Sequence, residues 1–482
     1  MCTIKSAIAV AGFLALTLPG FACRFDPSGL NHVLDGQVPP PDGGVLADGQ
    51  AQLDAAPGVD AAPGVDAEVI QDALVQNDAG PTCVPANCPL GCNTSIDRCF
   101  RLAPSNFLPQ SFHDSLSAGI TCAASEAVYV DTDTGGIVGA VTYRAAGQQG
   151  QTVSGIHWTV TPQTGGGDLA VFGLTHLNVP ASCRIIVAGS LPAAFYVTGD
   201  VLLDGRVDGY GLGQVPGPGG GPGGPANGAP GAPCGGDPGD GGTEGGSGTS
   251  QYESGGGGGG LGGNGGDGAD SNYGPAPGGA GGVPVGVNAA LAPLLGGCGG
   301  GAGGGPDTAG NSWAGGDGGY GGAGGGGLQI SAGGTITILS GGGIDVGAGG
   351  GQGGQWGAGG GGGGSGGAIL LEATHVINGG LLAANGGGGG AGGTSTAGSG
   401  ENGQPGLFST VAAAGGTGYT YGGSGGAGGA SGSSNGSPGV ENANGGGGGG
   451  STGLISIRYH LTVSAGTTSP TTVSQQQGVG LW

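Results

Sequence analysis

The chain has 482 residues, 135 of them glycine, and its 8 Lys and Arg against 31 Asp and Glu give a formal net charge of −23. So few cations do not neutralise a phosphate backbone, which excludes DNA and RNA as partners. Lys5 is the only lysine. A Walker A nucleotide site, whose lysine contacts the phosphates, is therefore excluded as well.

Residues 1–22 have the pattern of a secretory signal peptide. Lys5 precedes an apolar stretch at residues 7–18, and small residues lead up to Ala22 and Cys23. The apolar stretch is too short to span a bilayer. We therefore expect export, with ordinary cleavage after Ala22 as one alternative for the processing.

Lipid attachment is the other alternative. The segment GFAC, ending at Cys23, resembles a bacterial lipobox, although Gly20 stands where that motif usually has leucine. The resemblance implies acylation of the Cys23 thiol, and several acyl chains anchor a protein stably where one does not. Arg24 follows the cysteine in place of Asp, which by the same resemblance implies the outer membrane. The membrane is then a partner through the anchor.

Residues 23–80 are expected to form a disordered acidic tether. Aspartate recurs every sixth residue from Asp42 to Asp78, the hexapeptide AAPGVD occurs twice in tandem, and no aromatic residue follows Phe25 in the segment. This spacing matches neither a helical stripe nor a strand face, and repulsion between the carboxylates favours an extended chain. Cation binding by the Asp ladder is the alternative, but single carboxylates on a flexible chain make a weak site.

Cysteine usage predicts disulfide bonds. Of ten cysteines, Cys2 leaves with the signal peptide and Cys23 is the lipidation candidate; the even number that remains is typical of disulfides in an exported protein. Four of them crowd into residues 81–104, where they could form a two-bridge knot: Cys83, Cys88, Cys92 and Cys99. Zinc is the competing interpretation, but no CxxC pair is present. The simplest remaining pairings are Cys122 with Cys183 and Cys234 with Cys298.

The body of the chain is predicted to be all-β. Residues 105–213 contain short apolar bursts such as AVYV, LAVFGL and CRIIV, punctuated by Gly, Asn, Asp and Pro, and no helical stripe of period 3.6. The bursts between residues 169 and 213 follow one another closely. Strands that stack in sequential coils form a parallel β-helix, a solenoid, which is the architecture we expect.

Similar strand units recur with glycine tracts of unequal length between them. They begin at Phe195, Leu328, Ala368 and Leu454, so residues 214–327 are expected to be a Gly-rich insertion and residues 328–482 Gly-rich coils of the solenoid. Long insertions are tolerated because loop closure costs little per added residue. The tracts bury no side chains, so they are either disordered or ordered by backbone hydrogen bonds as bundled polyproline II-type helices.

Together these features carry a family resemblance. The lipobox, the Asp/Ala/Pro tether, the Cys-rich segment, VTGDVLLDGRVDGYG and the repeated GGAILLEA and INGGLLAANGGGGG resemble the glycine-rich surface lipoproteins of myxobacteria. The resemblance implies a cell-surface location and this architecture, and no catalytic residues. The chain is similar to mycobacterial PE-PGRS proteins in glycine content alone, since it has no helical PE domain.

Catalytic and metal motifs are weak. GxSxG occurs around Ser365, Ser424 and Ser451, and GxGxxG is frequent, but chance produces both in glycine tracts. Residues 262–270 fit one calcium-binding nonapeptide except at Ala269, whereas such sites need tandem copies. We predict no cofactor and no metal.

The best enzyme-like constellation is formed by Asp200, Asp204 and Asp208. Carboxylates on a β-helix can serve as acid and base toward polysaccharides. The alternative is that Asp204 and Asp208, each followed by glycine, occupy turns. Arg206 is the only nearby cation for an acidic sugar.

Three further side chains are expected to be ordinary strand residues: His157, Trp158 and His176. The predicted function is a secreted, lipid-anchored surface protein with a structural or adhesive role and no catalysis. Surface polysaccharide is a candidate partner. The alternative is a β-helical carbohydrate-binding or carbohydrate-active protein; an ice-binding or calcium-dependent module would need more than Thr335 and Thr337.

Export and lipidation make one testable prediction. Surface labelling of whole cells should reach the protein, and an inhibitor of lipoprotein signal processing of the globomycin type should make its larger precursor accumulate. A cytoplasmic, unprocessed protein would contradict the signal peptide, the tether and the disulfides together.

Overall fold

The computed structural model describes residues 83, 88, 92–93, 97–234, 238–243, 253–274, 276–286, 288–305, 317–394, 398–464 and 466–481. The chain divides into two units, Met1–Asn77 and Asp78–Trp482, and every described residue belongs to the second. The predicted signal peptide, Cys23 and the tether at residues 23–80 lie outside the described residues.

The all-β class is confirmed. The described residues contain one short 3-10 helix, His113–Ser115, and the following strands: β1 (Cys92–Asn93), β2 (Arg98–Cys99), β3 (Leu102–Ala103), β4 (Ile120–Thr121), β5 (Ala127–Asp131), β6 (Ile137–Val138), β7 (Thr142–Arg144), β8 (Gly150–Gln151), β9 (His157–Pro162), β10 (Asp168–Leu174), β11 (Leu177–Val179), β12 (Arg184–Ala188), β13 (Ala193–Val197), β14 (Val201–Leu203), β15 (Arg206–Asp208), β16 (Gly327–Ile338), β17 (Gly343–Asp345), β18 (Ala368–Asn378), β19 (Leu381–Ala383), β20 (Leu454–Ser464), β21 (Thr467–Ser469), β22 (Val473–Gln477) and β23 (Gly480–Leu481).

Two large open sheets contain most of these strands. The long sheet has 11 strands, with the order β22-β20-β18-β16-β13-β10-β9-β8 and with β4, β11 and β14 beside that path. The other sheet has 8 strands, with the order β21-β19-β17-β15-β12-β5-β6-β7. From β10 to β21 the chain passes repeatedly between the sheets, and the strands of one repeat pair in parallel with their counterparts in the next.

The repeats stack in register because their apolar residues coincide. Leu328 pairs with Ile369, and Ile369 pairs with Ile455; all three are at least 97% buried in one continuous core. Two positions on, Ile330 and Leu371 repeat the arrangement. Since burying one such side chain contributes about 1.5–3 kcal/mol, these ladders hold successive repeats together.

A second set of contacts covers the other face of the long sheet. Phe107 and Phe112 pack there against Val171 and Tyr196, with Leu291 from a later segment.

The long sheet also contains a fully buried carboxylate, Glu372 in β18. Glu372 accepts hydrogen bonds from Gln329 Nε2 (2.8 Å), Ser331 Oγ (2.9 Å), Ser105 Oγ (2.5 Å) and Arg458 (2.9 Å). Because Arg458 forms an ion pair with it, this buried charge is compensated within the protein.

Three glycine-rich insertions leave the repeats at the same connection. Residues 209–326, 346–367 and 384–453 each follow a strand of the eight-stranded sheet and each return to the long sheet. We call their described parts the glycine bundle. Because the strands are stacked, the three insertions begin and end beside one another.

Backbone hydrogen bonds order the glycine bundle with a period of three residues. In residues 359–367 every N–H donates to a carbonyl at an N···O distance of 2.8–3.0 Å. Positions 359, 362 and 365 donate to 304, 301 and 298; positions 360, 363 and 366 to 445, 448 and 451; positions 361, 364 and 367 to 352, 349 and 346. Each segment therefore contacts three neighbours in rotation, as a helix with three residues per turn and no internal hydrogen bonds allows.

Close approach of the backbones requires glycine. A Cβ atom added to Gly362 would lie 2.0 Å from the carbonyl oxygen of Gly257, and one added to Gly450 would lie 1.8 Å from that of Gly364. Neither obstacle is a side chain that could rotate away. Any larger residue must push two backbone segments apart.

Disulfide bonds are present, as the cysteine count predicts. The structure joins Cys83 to Cys92, Cys88 to Cys99, Cys122 to Cys183 and Cys234 to Cys298. The last two are the pairings proposed from the sequence. Cys234–Cys298 lies within the glycine bundle and links two of its segments.

The packing predicts a position-specific response to alanine. Gly362→Ala should lower the free energy of unfolding by about 1–3 kcal/mol, because overpacking displaces backbone. Gly432→Ala is the matched control, since a Cβ there meets no atom within 4 Å. Denaturant unfolding monitored by circular dichroism measures both. Equal stability of the two variants would contradict the close packing at Gly362.

Candidate functional site

The structure places the three candidate aspartates in different environments. Asp200 precedes β14 in the long sheet, is exposed, and accepts a hydrogen bond from the backbone N–H of Thr335 at 2.7 Å. Asp204 lies half-buried between β14 and β15. Asp208 ends β15 in the eight-stranded sheet, and its side chain is fully buried. It is therefore a strand residue and not an exposed turn residue.

Asp208 belongs to a compact ion cluster. It is in register with Asp345 of the next repeat. Arg184 Nε donates to Asp208 at 2.6 Å, and Arg206 donates to Asp208 at 2.8 Å and to Asp345 at 3.0 Å. Arg206 also stacks on the ring of Phe408, 4.0 Å from its centroid. Two guanidinium groups thus face two carboxyl groups, so these buried polar groups find their partners within the protein.

Burial affects the acidity of one member of this cluster. It raises the pKa of Asp345 from 3.8 to about 7, although a hydrogen bond from Gly347 N–H and the charge of Arg206 act in the opposite direction. The neighbouring charge of Asp208 adds to the increase. A folded protein near neutral pH thus holds a proton here that an unfolded chain releases.

The serines of the GxSxG matches are part of the glycine bundle. Ser365 Oγ accepts from the N–H of Cys298 at 2.8 Å, and Ser451 Oγ accepts from the N–H of Leu261 at 3.0 Å; both serines are fully buried. Ser424 Oγ accepts from the N–H of Gly418 at 3.0 Å. None of the three bonds to a histidine within the described part of the chain.

The segment 262–270 also joins the bundle. Its two carboxylates accept backbone hydrogen bonds, Asp267 from Gly281 at 2.8 Å and Asp270 from Gly278 at 2.7 Å. In the Cys-rich segment the sulfur atoms of Cys83, Cys88 and Cys92 lie within 4.8 Å of one another. They are oxidised in two disulfides, whereas zinc requires thiolates.

The histidines expected in strands are found in and beside them. His157 is in β9 and stacks on Phe112 with ring centroids 4.2 Å apart. His176 is exposed beside β11, and its Nε2 lies 3.1 Å from Thr121 Oγ1. Trp158 is buried in the core. Sequence reasoning missed His113, whose Nδ1 lies 2.5 Å from the buried hydroxyl of Tyr196 and whose pKa burial lowers to about 4.

A surface that the sequence interpretation also missed lies at the turns of the glycine bundle. Four aromatic residues there remain 41–62% exposed: Tyr273, Trp356, Tyr419 and Tyr421. Each lies where the chain reverses between two glycine segments. We call residues 271–274, 355–357, 419–422 and 441–444 the turn surface.

Hydrogen bonds connect these turns. The N–H of Asn272 donates to the carbonyl of Asn442 at 3.0 Å, and the Asn442 side chain donates to the carbonyl of Gly422 at 3.2 Å. The side chain of Asn444 donates to Gly393 at 2.6 Å. Because Gly393 donates in turn to Ala358, the turns form one continuous end of the bundle.

The chemistry of the turn surface is aromatic, amide-rich and without positive side chains. Its segments read SNYG, QWG, YTYG and ENAN, and no Lys or Arg occurs between Arg206 and Arg458. The Tyr419 hydroxyl donates to Glu401 at 2.5 Å, and this bond holds the pKa of Glu401 below its ordinary value. Tyr, Ser, Gly and Asn on a rigid scaffold are the residues that antibody paratopes use for recognition.

The signal for this surface was present in the sequence as aromatic residues interrupting glycine tracts. Tyr252, Tyr273, Trp313, Trp356, Tyr419 and Tyr421 all do so. Tyr252 and Trp313 lie outside the described residues. What composition alone did not indicate is that the turns meet at one end.

Comparison with known proteins adds no relative. No protein-family model matches the sequence, and no match was found among curated proteins or solved structures. Over the residues that the structure describes, no helix has the length and apolar character needed to cross a bilayer.

The ion cluster predicts a pH dependence of stability. Because the folded-state pKa of Asp345 is raised to about 7, its contribution to stability is complete below pH 4 and is lost as pH rises through 7. The free energy of unfolding of the wild type should fall by about 1–4 kcal/mol as pH rises from 4 to above 7, and Asp345→Asn should not show this fall.

Denaturant midpoints at pH 4, 6 and 8 for the two proteins test this, with the exposed Asp200→Asn as control. If the wild type and Asp345→Asn differ by the same amount at every pH, the assignment of the proton to this cluster is wrong.

Proposed function

We propose that the protein is an exported, lipid-anchored cell-surface protein with an adhesive and structural role, and that it has no catalytic activity. The strands serve as a scaffold, the glycine bundle as a stiff spacer, and the turn surface as the part that contacts a partner. The observation that carries the proposal is that three turns with four exposed aromatic residues meet at one end of an ordered bundle.

A parallel β-helix is the architecture that we propose for the strands. Parallel pairing in register between successive repeats supports it, as does the alternation of each repeat between the two sheets. A solenoid of this kind accepts insertions of any length at a corner without a change in its core. All three glycine-rich insertions use one such corner.

The bundle suits a spacer because its stiffness comes from the backbone. A polyproline II-type helix rises 3.1 Å per residue, so a ten-residue segment spans about 30 Å. Lateral hydrogen bonds to three neighbours restrict bending of every segment. Aromatic turns held on such a support lose little conformational entropy on binding, which favours affinity.

Export is supported by the disulfides. Four disulfide bonds are typical of an oxidising compartment and are rare in the cytosol. The same chemistry agrees with the signal peptide and with the lipidation proposed for Cys23. A structural or adhesive role on the outer membrane combines these features with the resemblance to glycine-rich surface lipoproteins.

The absence of catalysis is supported by the state of the acidic residues. Asp208 and Asp345 face Arg184 and Arg206 and not solvent. Acid–base hydrolysis of a glycoside needs two carboxylates on either side of an accessible cleft. Of the three aspartates considered for a carbohydrate-active site, Asp208 is buried in the ion cluster and is therefore not available for such a pair.

Removal of the aromatic turns tests the adhesive role. We expect the variant Tyr273→Ala/Trp356→Ala/Tyr419→Ala/Tyr421→Ala to reduce attachment of expressing cells at least tenfold, because aromatic anchors dominate binding energy at interfaces. Cell attachment to surfaces and to sister cells is the measurement.

Tyr129→Ala is the matched control, since this tyrosine is 44% exposed on the eight-stranded sheet. Unchanged attachment by the fourfold variant, at normal surface level and thermal stability, would refute the assignment of adhesion to the turns.

A further inference from the structure

A groove lies in the glycine bundle, and none of the residues that line it belongs to the turn surface. Its volume is about 470 Å³. Its side chains come from four different glycine segments: Leu212, Gln214, Tyr320, Gln352, Asn402 and Pro405.

The floor of the groove is bare backbone. Gly213, Gly321, Gly350 and Gly403 line it. Adjacent segments are joined by hydrogen bonds from Ala323 N–H to Gly213 (2.7 Å), from Gln352 N–H to Tyr320 (2.8 Å) and from Gly403 N–H to Gly351 (2.9 Å). A Cβ atom on Gly321, Gly350 or Gly403 would lie 1.9–2.1 Å from a neighbouring carbonyl oxygen, so glycine there lets the segments pack closely. The hydrogen bonds between these segments fix the shape of the floor.

Polar groups with unused capacity rise from this floor. Within the described residues the amides of Gln214 and Gln352 and the hydroxyl of Tyr320 make no hydrogen bond to the protein. Asn402 uses only its oxygen, which accepts from Gly353 N–H at 2.9 Å, so its NH₂ group is available. Amides and a phenol both donate and accept, whereas carboxylates and cations do only one of the two.

The absence of charged side chains from the lining of the groove favours an uncharged ligand. None of the residues lining the groove is ionisable at neutral pH, and the bundle holds no Lys or Arg. A phosphate, sulfate or uronate would find no counter-charge, and an organic cation would find no carboxylate. An uncharged sugar has hydroxyls that pair with amides and C–H faces that pack on an aromatic ring such as that of Tyr320.

We propose that this groove binds an uncharged polysaccharide chain, with Tyr320 as the stacking platform and Gln214, Gln352 and Asn402 as hydrogen-bonding groups. The groove is open to solvent, so it can admit a sugar unit from the interior of a polymer and not only from its end. The proposal gives the adhesive function a ligand class and a second site, and its biological meaning rests on that function.

Affinity electrophoresis of the full-length protein tests it. The gels contain purified neutral polysaccharides, namely dextran, laminarin, galactomannan, xylan, mannan and arabinogalactan freed of uronate, with polygalacturonate as the anionic comparison. We expect retardation by at least one neutral polymer and none by polygalacturonate. Tyr320→Ala/Gln352→Ala should weaken binding at least tenfold with an unchanged melting temperature.

Two controls separate this proposal from the adhesive one. The fourfold turn variant should bind the polysaccharide as the wild type does, and Tyr320→Phe should retain most of the affinity because the ring remains. Failure of all neutral polymers to retard the protein, or equal affinity of Tyr320→Ala/Gln352→Ala and wild type, overturns the groove as a glycan site. Loss of attachment in the turn variant alone would still support adhesion.

Discussion

The glycine bundle depends on one constraint: each backbone N–H and C=O group needs a partner outside its own segment. A helix with three residues per turn has no internal hydrogen bonds, and buried backbone groups without partners are costly. Segments must therefore lie close enough for N···O distances of 2.8–3.0 Å on three sides, as residues 359–367 do. At positions such as Gly362 only glycine permits that approach, although Ser365 occupies one position of the same stretch. The high glycine content and the bundle architecture therefore have a common cause.

Packing of the strands offsets part of the free-energy cost of ordering the bundle. Ordering the backbone of one glycine costs about 1–2 kcal/mol or more, whereas one hydrogen bond contributes only about 1 kcal/mol. Hydrogen bonds alone therefore do not stabilise an isolated glycine segment in one conformation. Apolar ladders such as Leu328–Ile369–Ile455 fix where each insertion starts and ends. Cys234–Cys298 adds a covalent link within the bundle. The strands and the bundle therefore hold the exposed turns and the groove in fixed positions.

Sequence reasoning reached the parts of the structure that depend on side-chain pattern. Bursts such as LAVFGL predicted strands because buried Val, Leu and Phe must alternate with turns. The environment of Asp208 was missed because its partner Arg184 lies 24 positions earlier and meets it only through parallel register. Tyr320 and Asn402 share a groove for a similar reason. A tract of glycines has no side-chain pattern that indicates which segments are neighbours. The sites that depend on this pairing could therefore not be predicted from the sequence.

Amide hydrogen exchange of the intact protein, followed peptide by peptide, tests the central claim most directly. If backbone hydrogen bonds order the bundle, peptides covering residues 359–367 and 445–453 should exchange more than about a thousandfold slower than an unstructured glycine peptide, as slowly as the strands β16 and β18. Exchange of these peptides at the unstructured rate, while β16 and β18 stay protected, would show that the glycine segments are not held by one another.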